Sequence, residues 1–282
     1  EQMKLSVSLP VREMKNDLGA IRAFAQLAEE LGFSHLRVPD TIIRPKGGHL
    51  HEPMMTLAWI AAHTEKIQLC PSIIVLPARQ TVHFAKQLIQ LDVLSGGRAR
   101  AGIGIGATPE QYEALGQDFH TRGARCNEQL ELLNALLTQE VVNFEGRWDT
   151  VNGMGLDPHP VQERIPLWYG GASVPGNRVV ERIGRFCDGW FVLCSPEQYP
   201  DVNRRIAAAA SAAGRDPGAI GKEAGVAVVG PRQAEWQDRV RNWRQTGLDF
   251  VCIRTLGGDL TESQQHLDKL REVAAEAFSL AE

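Results

Sequence analysis

Residues 167–173 read LWYGGAS: three large side chains, then two glycines, an alanine and a serine. Free main-chain N–H groups just before a helix, together with the helix's positive end, bind anions, and glycine lets a phosphate approach the backbone closely. Two glycines also make a tight turn at a crowded rim, and position alone leaves both readings open. A second glycine run, AGIGIGATPE at 101–110, has the spacing Gly102-x-Gly104-x-x-Ala107. A dinucleotide fingerprint needs an acidic residue ending the next strand about 20 residues on. That interval here is the helical RGARCNEQLELL, so the better use of Gly104, Gly106 and Ala107 is to open volume for a flat ligand at a strand end. Pro71 in CPSIIV cannot donate to a sheet ladder, which predicts a bulge near Ser72 that re-aims backbone groups toward a ligand or merely distorts the sheet. Asp40, after the apolar run HLRV, is a ligand acceptor, a base or a turn former. His49 and His51 in GGHLHEP are metal-capable types, but a glycine-rich loop usually leaves them solvated. No HExxH or GxSxG is present, and no metal site is expected.

The elements that position these residues follow one rhythm, a short apolar run and then a longer stretch of helical spacing. The strands expected are 4–10, 35–40, 67–75, 98–106, 165–171, 188–194, 224–230 and 249–255. Asp17 is the expected N-cap of the first helix and Gly32 its stop. Alternating units imply parallel strands with right-handed crossovers. Eight of them in roughly 250 residues predict an α/β fold, the closed (β/α)8 TIM barrel, as one domain over 1–282. The stretch 141–160 breaks the rhythm and reads as a hairpin or loop insertion between units four and five. Ligands of such barrels sit at the C-terminal strand ends, where LWYGGAS, GIGIGA, Ser72 and Asp40 all fall.

Composition narrows the partners. The chain has 282 residues, 43% of them hydrophobic and 23% charged, with a formal charge of −4. That balance disfavours a nucleic-acid platform, and no apolar run is long enough to span a membrane. Five scattered cysteines without a close pair fit buried thiols in a reducing compartment, and a cytoplasmic protein is expected.

Several stretches together resemble the bacterial luciferase-like superfamily, in its branch of coenzyme F420-dependent oxidoreductases. They are LAEELGFSHLRVPD, EPMMTLAWIAAHTEKIQL, AKQLIQLDVLSGGRARAGIGIG, EGRWDTVNGMGLDPHPVQERIPLWYGG and RFCDGWFV, in family order along nearly the whole chain. The resemblance implies a deazaflavin or flavin across the C-terminal mouth, its phosphate on the amides of Gly170, Gly171, Ala172 and Ser173. It implies that Gly104, Gly106 and Ala107 border the ring and that Ser72, Ile73 and Val75 back it around a cis Ser72–Ile73 peptide. Asp40 is expected to contribute to the cofactor site, and Arg178 or Arg79 to meet the acidic tail. Alcohol-oxidising members often carry a histidine directly after the strand-two aspartate and a glutamate directly after the fourth-strand glycines. Here Thr41 and Ala107 stand there, leaving Asp40, Glu110 or water for proton transfer. The function so implied is hydride transfer between coenzyme F420 and a small organic substrate by a homodimer. The alternatives are an FMN-dependent monooxygenase and a noncatalytic cofactor-binding barrel.

Overall fold

The strands are short, and along each the residues facing the helices are apolar while those facing the other way are often polar. The computed structural model describes residues 2–44, 48 and 50–282. In chain order the elements are β1 (Lys4–Ser8), α1 (Val11–Met14), α2 (Leu18–Glu30), β2 (His35–Val38), α3 (Pro53–Ala61), β3 (Gln68–Pro71), β4 (Ile74–Val75), α4 (Thr81–Ser95), β5 (Ala101–Gly104), α5 (Pro109–Ala114), α6 (Arg122–Thr138), β6 (Val142–Glu145), β7 (Thr150–Met154), β8 (Leu167–Tyr169), α7 (Asn177–Phe186), β9 (Gly189–Val192), α8 (Tyr199–Ala212), β10 (Gly221–Ala227), α9 (Trp236–Gln245), β11 (Phe250–Arg254) and α10 (Ser263–Ala281).

Nine parallel strands form one sheet in the order β3-β2-β1-β11-β10-β9-β8-β5-β4. Since β3 and β4 are one run interrupted at Ser72–Ile73, the chain itself joins the two ends of that order. A parallel bridge from Leu69 to Ala99 completes the ring. The result is the eight-stave (β/α)8 barrel expected from the sequence. The interruption is the distortion announced by Pro71, and the Ser72–Ile73 peptide is cis, as the resemblance implied. The stretch between units four and five is the antiparallel hairpin β6–β7. Glu128 of α6 holds its turn by accepting the N–H groups of Arg147, Trp148 and Asp149.

Local signals set most helix ends. Asp17 Oδ1 accepts the Ala20 N–H at 3.0 Å, and Gly32 follows α2 at φ +90°. Two details depart from expectation. A single helical turn, α1, follows β1 directly, and β10 starts at Gly221 rather than 224. Polar Lys222 and Glu223 belong to that ladder, Glu223 turned into the interior and Lys222 outward toward Asp249.

The two most family-specific blocks turn out to brace each other. Asp92 of LDVLSGGR accepts from the N–H groups of Ala99, Val161 and Gln162 and from Gln162 Nε2. Arg98, 8% exposed, spreads its guanidinium over the end of α3, donating to Ala61 O, Thr64 O, Thr64 Oγ1 and Ile67 O at 2.9–3.0 Å. These are the carbonyls a helix end leaves unpaired, and a cation complements the dipole there. Arg98→Met strands several buried carbonyls, so a loss of about 3–5 kcal/mol in urea unfolding is expected, with the cofactor-site residues untouched. A loss below 1 kcal/mol would show that water replaces the guanidinium.

Candidate active site

The inside of this barrel is charged. Glu223 of β10 is fully buried and accepts from Ser6 Oγ of β1 at 2.6 Å, His35 Nε2 of β2 at 2.8 Å and Arg37 NH1 of β2 at 3.1 Å. Since β10 and β2 are not neighbours in the sheet, these bonds cross the barrel interior. Burial alone would raise the Glu223 carboxyl, but the electrostatic pull of His35, which is protonated only in acid, and of the Arg37 guanidinium, with hydrogen bonds from His35 and Ser6, outweighs it and holds the group well below the carboxylate range. Burial pushes His35 down to about 4 against the pull of Glu223, so the imidazole is neutral at pH 7. Arg37 also stacks on Phe191, 4.2 Å from the ring centroid, and donates Nε and NH2 to Ser72 Oγ at 2.9 and 2.7 Å. Below them Arg100 lies between Trp168 and Phe250 at 4.7 and 4.9 Å.

A cavity of about 720 Å³ opens above this floor at the C-terminal strand ends, within the range of cofactor sites. Arg37, Ser72, Phe191 and Glu223 form its base, and Ile73, Gly106 and Ala107 one wall. Tyr169, Gly170, Gly171, Ala172, Val179 and Arg122 line a second side, and Leu9, Arg12, Glu13, Arg254 and Leu256 a third. Gly170 N–H donates to Ile103 O at 2.8 Å and belongs to the ladder. The N–H groups of Gly171, Ala172 and Ser173 meet no acceptor among the described residues. Beside them Arg122 Nε is buried without a partner among the described residues, although its NH1 donates to Phe119 O at 2.8 Å. On the third side Glu13 Oε1 accepts the Gly257 N–H at 3.3 Å, while Oε2 is buried and has no hydrogen-bond partner among the described residues.

The residues named from the sequence divide. Ser72, Ile73, Gly106, Ala107, Gly170, Gly171 and Ala172 share the cavity; Asp40, Val75, Gly104, Glu110, Ser173 and Arg178 do not line it. The reasons are local. Asp40 is buried with Oδ1 on Arg79 at 3.0 Å and Oδ2 on the Val75 N–H at 3.1 Å. Burial raises its carboxyl, opposed chiefly by Arg79. Arg79 is thereby committed to Asp40, with Glu52 at 3.4 Å, rather than to an acidic tail. Glu110 is exposed in the first turn of α5, and Arg178 is exposed on α7. Val179 is the α7 residue at the cavity, and one helical position, about 100°, turns Arg178 to solvent.

The fourth-strand glycines also pack closely against the chain itself. A Cβ on Gly104 would stand 2.5 Å from Ile73 Cδ1 and 2.7 Å from Gly170 O, and one on Gly106 3.0 Å from Val75 Cγ1. These glycines make room for the chain's own Ile73 and Val75. His49 lies outside the described residues; His51 Nε2 bonds Lys15 O at 2.6 Å, and no group of three metal-capable side chains occurs among the described residues.

Sequence reasoning passed over Arg37, Glu223, Glu13 and Arg122. Alternation in HLRV and KEAG carried a signal for the first two, because a parallel strand of an ordinary barrel is apolar on both faces. Glu13 and Arg122 had none, as each owes its place to the turn of chain around it.

A parallel barrel with a charged floor and a cavity over it at the C-terminal strand ends is a (β/α)8 protein with a candidate ligand site at its mouth. The profile of the luciferase-like monooxygenases matches residues 3–282, and the chain belongs to that family. It is 30% identical over 222 residues to an F420-dependent hydroxymycolic acid dehydrogenase of Mycobacterium tuberculosis, covering 75% of this chain and 59% of that protein. Against other mycobacterial relatives, 29% identical over 184 residues, the match spans 59% of this chain and 62% of their length. Similar folds are those of the monooxygenase RslO1 from Streptomyces bottropensis, with TM-score 0.79 at 20% identity, covering 97% of this chain and 98% of that one. An F420-dependent secondary alcohol dehydrogenase in complex with an F420-acetone adduct has TM-score 0.78 at 14% identity, with the same coverage.

The buried pair makes stability depend on acid. As pH falls, the unfolded chain protonates its histidine near 6.5 while the folded His35 stays neutral until about 4, so stability declines across that window. Glu223, held lower in the fold than its ordinary 4.5, adds a further loss below that pH. His35→Gln is expected to remove a slope of up to about 1.4 kcal/mol per pH unit between pH 6.5 and 4, read from urea unfolding. An unchanged slope would assign the effect elsewhere.

Proposed function

We propose that this chain is an oxidoreductase transferring a hydride between coenzyme F420 and the hydroxyl-bearing or carbonyl carbon of a small organic substrate. The observation that carries this reading is the rim where, among the described residues, the amides of Gly171, Ala172 and Ser173 meet no acceptor and the Nε of Arg122 beside them no partner. Such a donor set suits a phosphate, and the cavity beside it has the volume for a tricyclic ring. Bound there, the deazaflavin supplies a ring carbon that takes up or gives a hydride.

The chain's own residues do the rest. Gly171, Ala172, Ser173 and Arg122 hold the phosphate, and Ile73 and Ala107 confine the ring. In the eight-stave ring β1 stands four positions from β8, so Glu13 faces the phosphate donors from across the mouth. Its Oε2 is open to one hydrogen bond, which suits it to accept a substrate hydroxyl proton as the neighbouring C–H hydride departs, or to return that proton in reduction. Dehydrogenases among the relatives support the hydroxyl–carbonyl couple.

Titration of F420 fluorescence with the purified protein tests the cofactor. Saturable binding is expected, with Arg122→Gln weakening it about tenfold. Preferential binding of FMN with NADH-driven oxygen uptake would replace this reading by a monooxygenase. Glu13→Gln keeps an acceptor for the Gly257 N–H but no base. It is expected to lower turnover of secondary alcohols by about 10²–10⁴ while leaving the F420 titration unchanged; undiminished turnover would remove Glu13 from proton transfer.

A further inference from the structure

Ser72 is held in an unusual way. A hydroxyl has one hydrogen and two acceptor positions. Arg37 fills both acceptor positions, Nε at 2.9 Å and NH2 at 2.7 Å, so the Ser72 hydrogen points away from the guanidinium. No acceptor for it occurs among the described residues, and Ser72 lies at the cavity base. Arg37 cannot swing off. Its NH1 is tied to Glu223 and its face lies on Phe191. Burial favours losing the proton of Arg37, yet Glu223 more than offsets this and the guanidinium stays charged.

We propose that Arg37 is a positioning residue that presents the Ser72 hydroxyl as a fixed hydrogen-bond donor to the bound ring, and that this donor favours the reduced ring over the oxidised one. Hydride transfer adds two electrons and one proton to the ring, hence one negative charge. A donor backed by a cation stabilises the state with more charge. Glu223 acts through Arg37 by fixing the guanidinium plane. The inference rests on the cofactor reading for the kind of ring, and not on the phosphate donors or on Glu13.

The test measures affinity for oxidised and reduced F420 in the wild type, Ser72→Ala, Arg37→Met and the double variant. Oxidised F420 is followed by its fluorescence and the reduced form by its displacement of the oxidised. Circular dichroism and melting curves report the fold. Each single variant is expected to lose about tenfold in affinity for reduced F420 and less than threefold for oxidised, and the double variant no more than either alone. Equal losses for both redox states, or additive losses in the double variant, would overturn the proposal while leaving F420 binding intact. Ser72→Ala removes a single oxygen and carries the redox comparison by itself if Arg37→Met does not fold. A wild type that binds no F420 would sink the F420 reading instead, and the same measurements with oxidised and reduced FMN then decide the role of Ser72. Binding of neither ring overturns both.

Discussion

The arrangement depends on one ion pair placed where a barrel ordinarily carries branched apolar side chains. Glu223 and Arg37 face each other across the interior with no exposure on the glutamate side. Desolvating two charges is unfavourable, and the pair is supported by further contacts: Ser6 and His35 donate to Glu223, while Ser72 and the Phe191 face engage Arg37. Removing one partner of such a pair typically costs about 3–5 kcal/mol, since the other charge is left stranded. The floor of the cavity is therefore a rigid polar plate. Because it is rigid, it can hold a ring-facing hydroxyl in one direction.

Space around that plate is managed by glycine. A side chain on Gly170 would meet Ile73 Cγ2 at 2.7 Å and Phe191 Cδ2 at 3.1 Å. Gly221 does the same for Trp168, whose Cζ2 would lie 2.5 Å from a Cβ there. The missing side chains let two aromatic residues and Ile73 fill the barrel, and those residues in turn cover Arg100 and Arg37 with ring faces. Gly171 differs. Its nearest neighbour is Tyr169 Cε1 at 3.3 Å, a tolerable contact, and its amide is unmatched. In LWYGG, then, the first glycine serves packing and the second exposes a donor.

This difference explains what could be read from the sequence. The strand–helix alternation, the hairpin insertion, the Asp17 cap and the break after Pro71 are local properties, written in spacing and turn chemistry. Gly170 to Ala172, Ser72, Ile73 and Ala107 were legible because the barrel rule assigns strand ends to the cavity. The rule does not say which way a side chain turns there. Asp40 sits at a strand end but bends back to Arg79, and Arg178 misses the cavity by one helical position where Val179 reaches it. The charges on the floor left a trace, Arg37 and Glu223 alternating with apolar neighbours, but their partnership joins residues 186 positions apart. Spacing within a strand cannot announce that pairing.

The polarity of the mouth follows from the same parts. Inside the barrel, Arg37 and Arg100 outnumber the ionised Glu223, and His35 is neutral, which leaves one positive charge in excess beneath the cavity. The amides of Gly171, Ala172 and Ser173, which meet no acceptor among the described residues, and Arg122 extend that positive character to the β8 rim, and on the third side Arg12 and Arg254 line the cavity together with Glu13. Fixed charges and dipoles of this sign favour an anionic ligand over a cationic one in the cavity. Thr41 and Ala107 leave the usual acid–base positions empty. In the proposed function, Glu13 and the phosphate donors sit on opposite staves of a closed ring, so a change at one leaves the other in place.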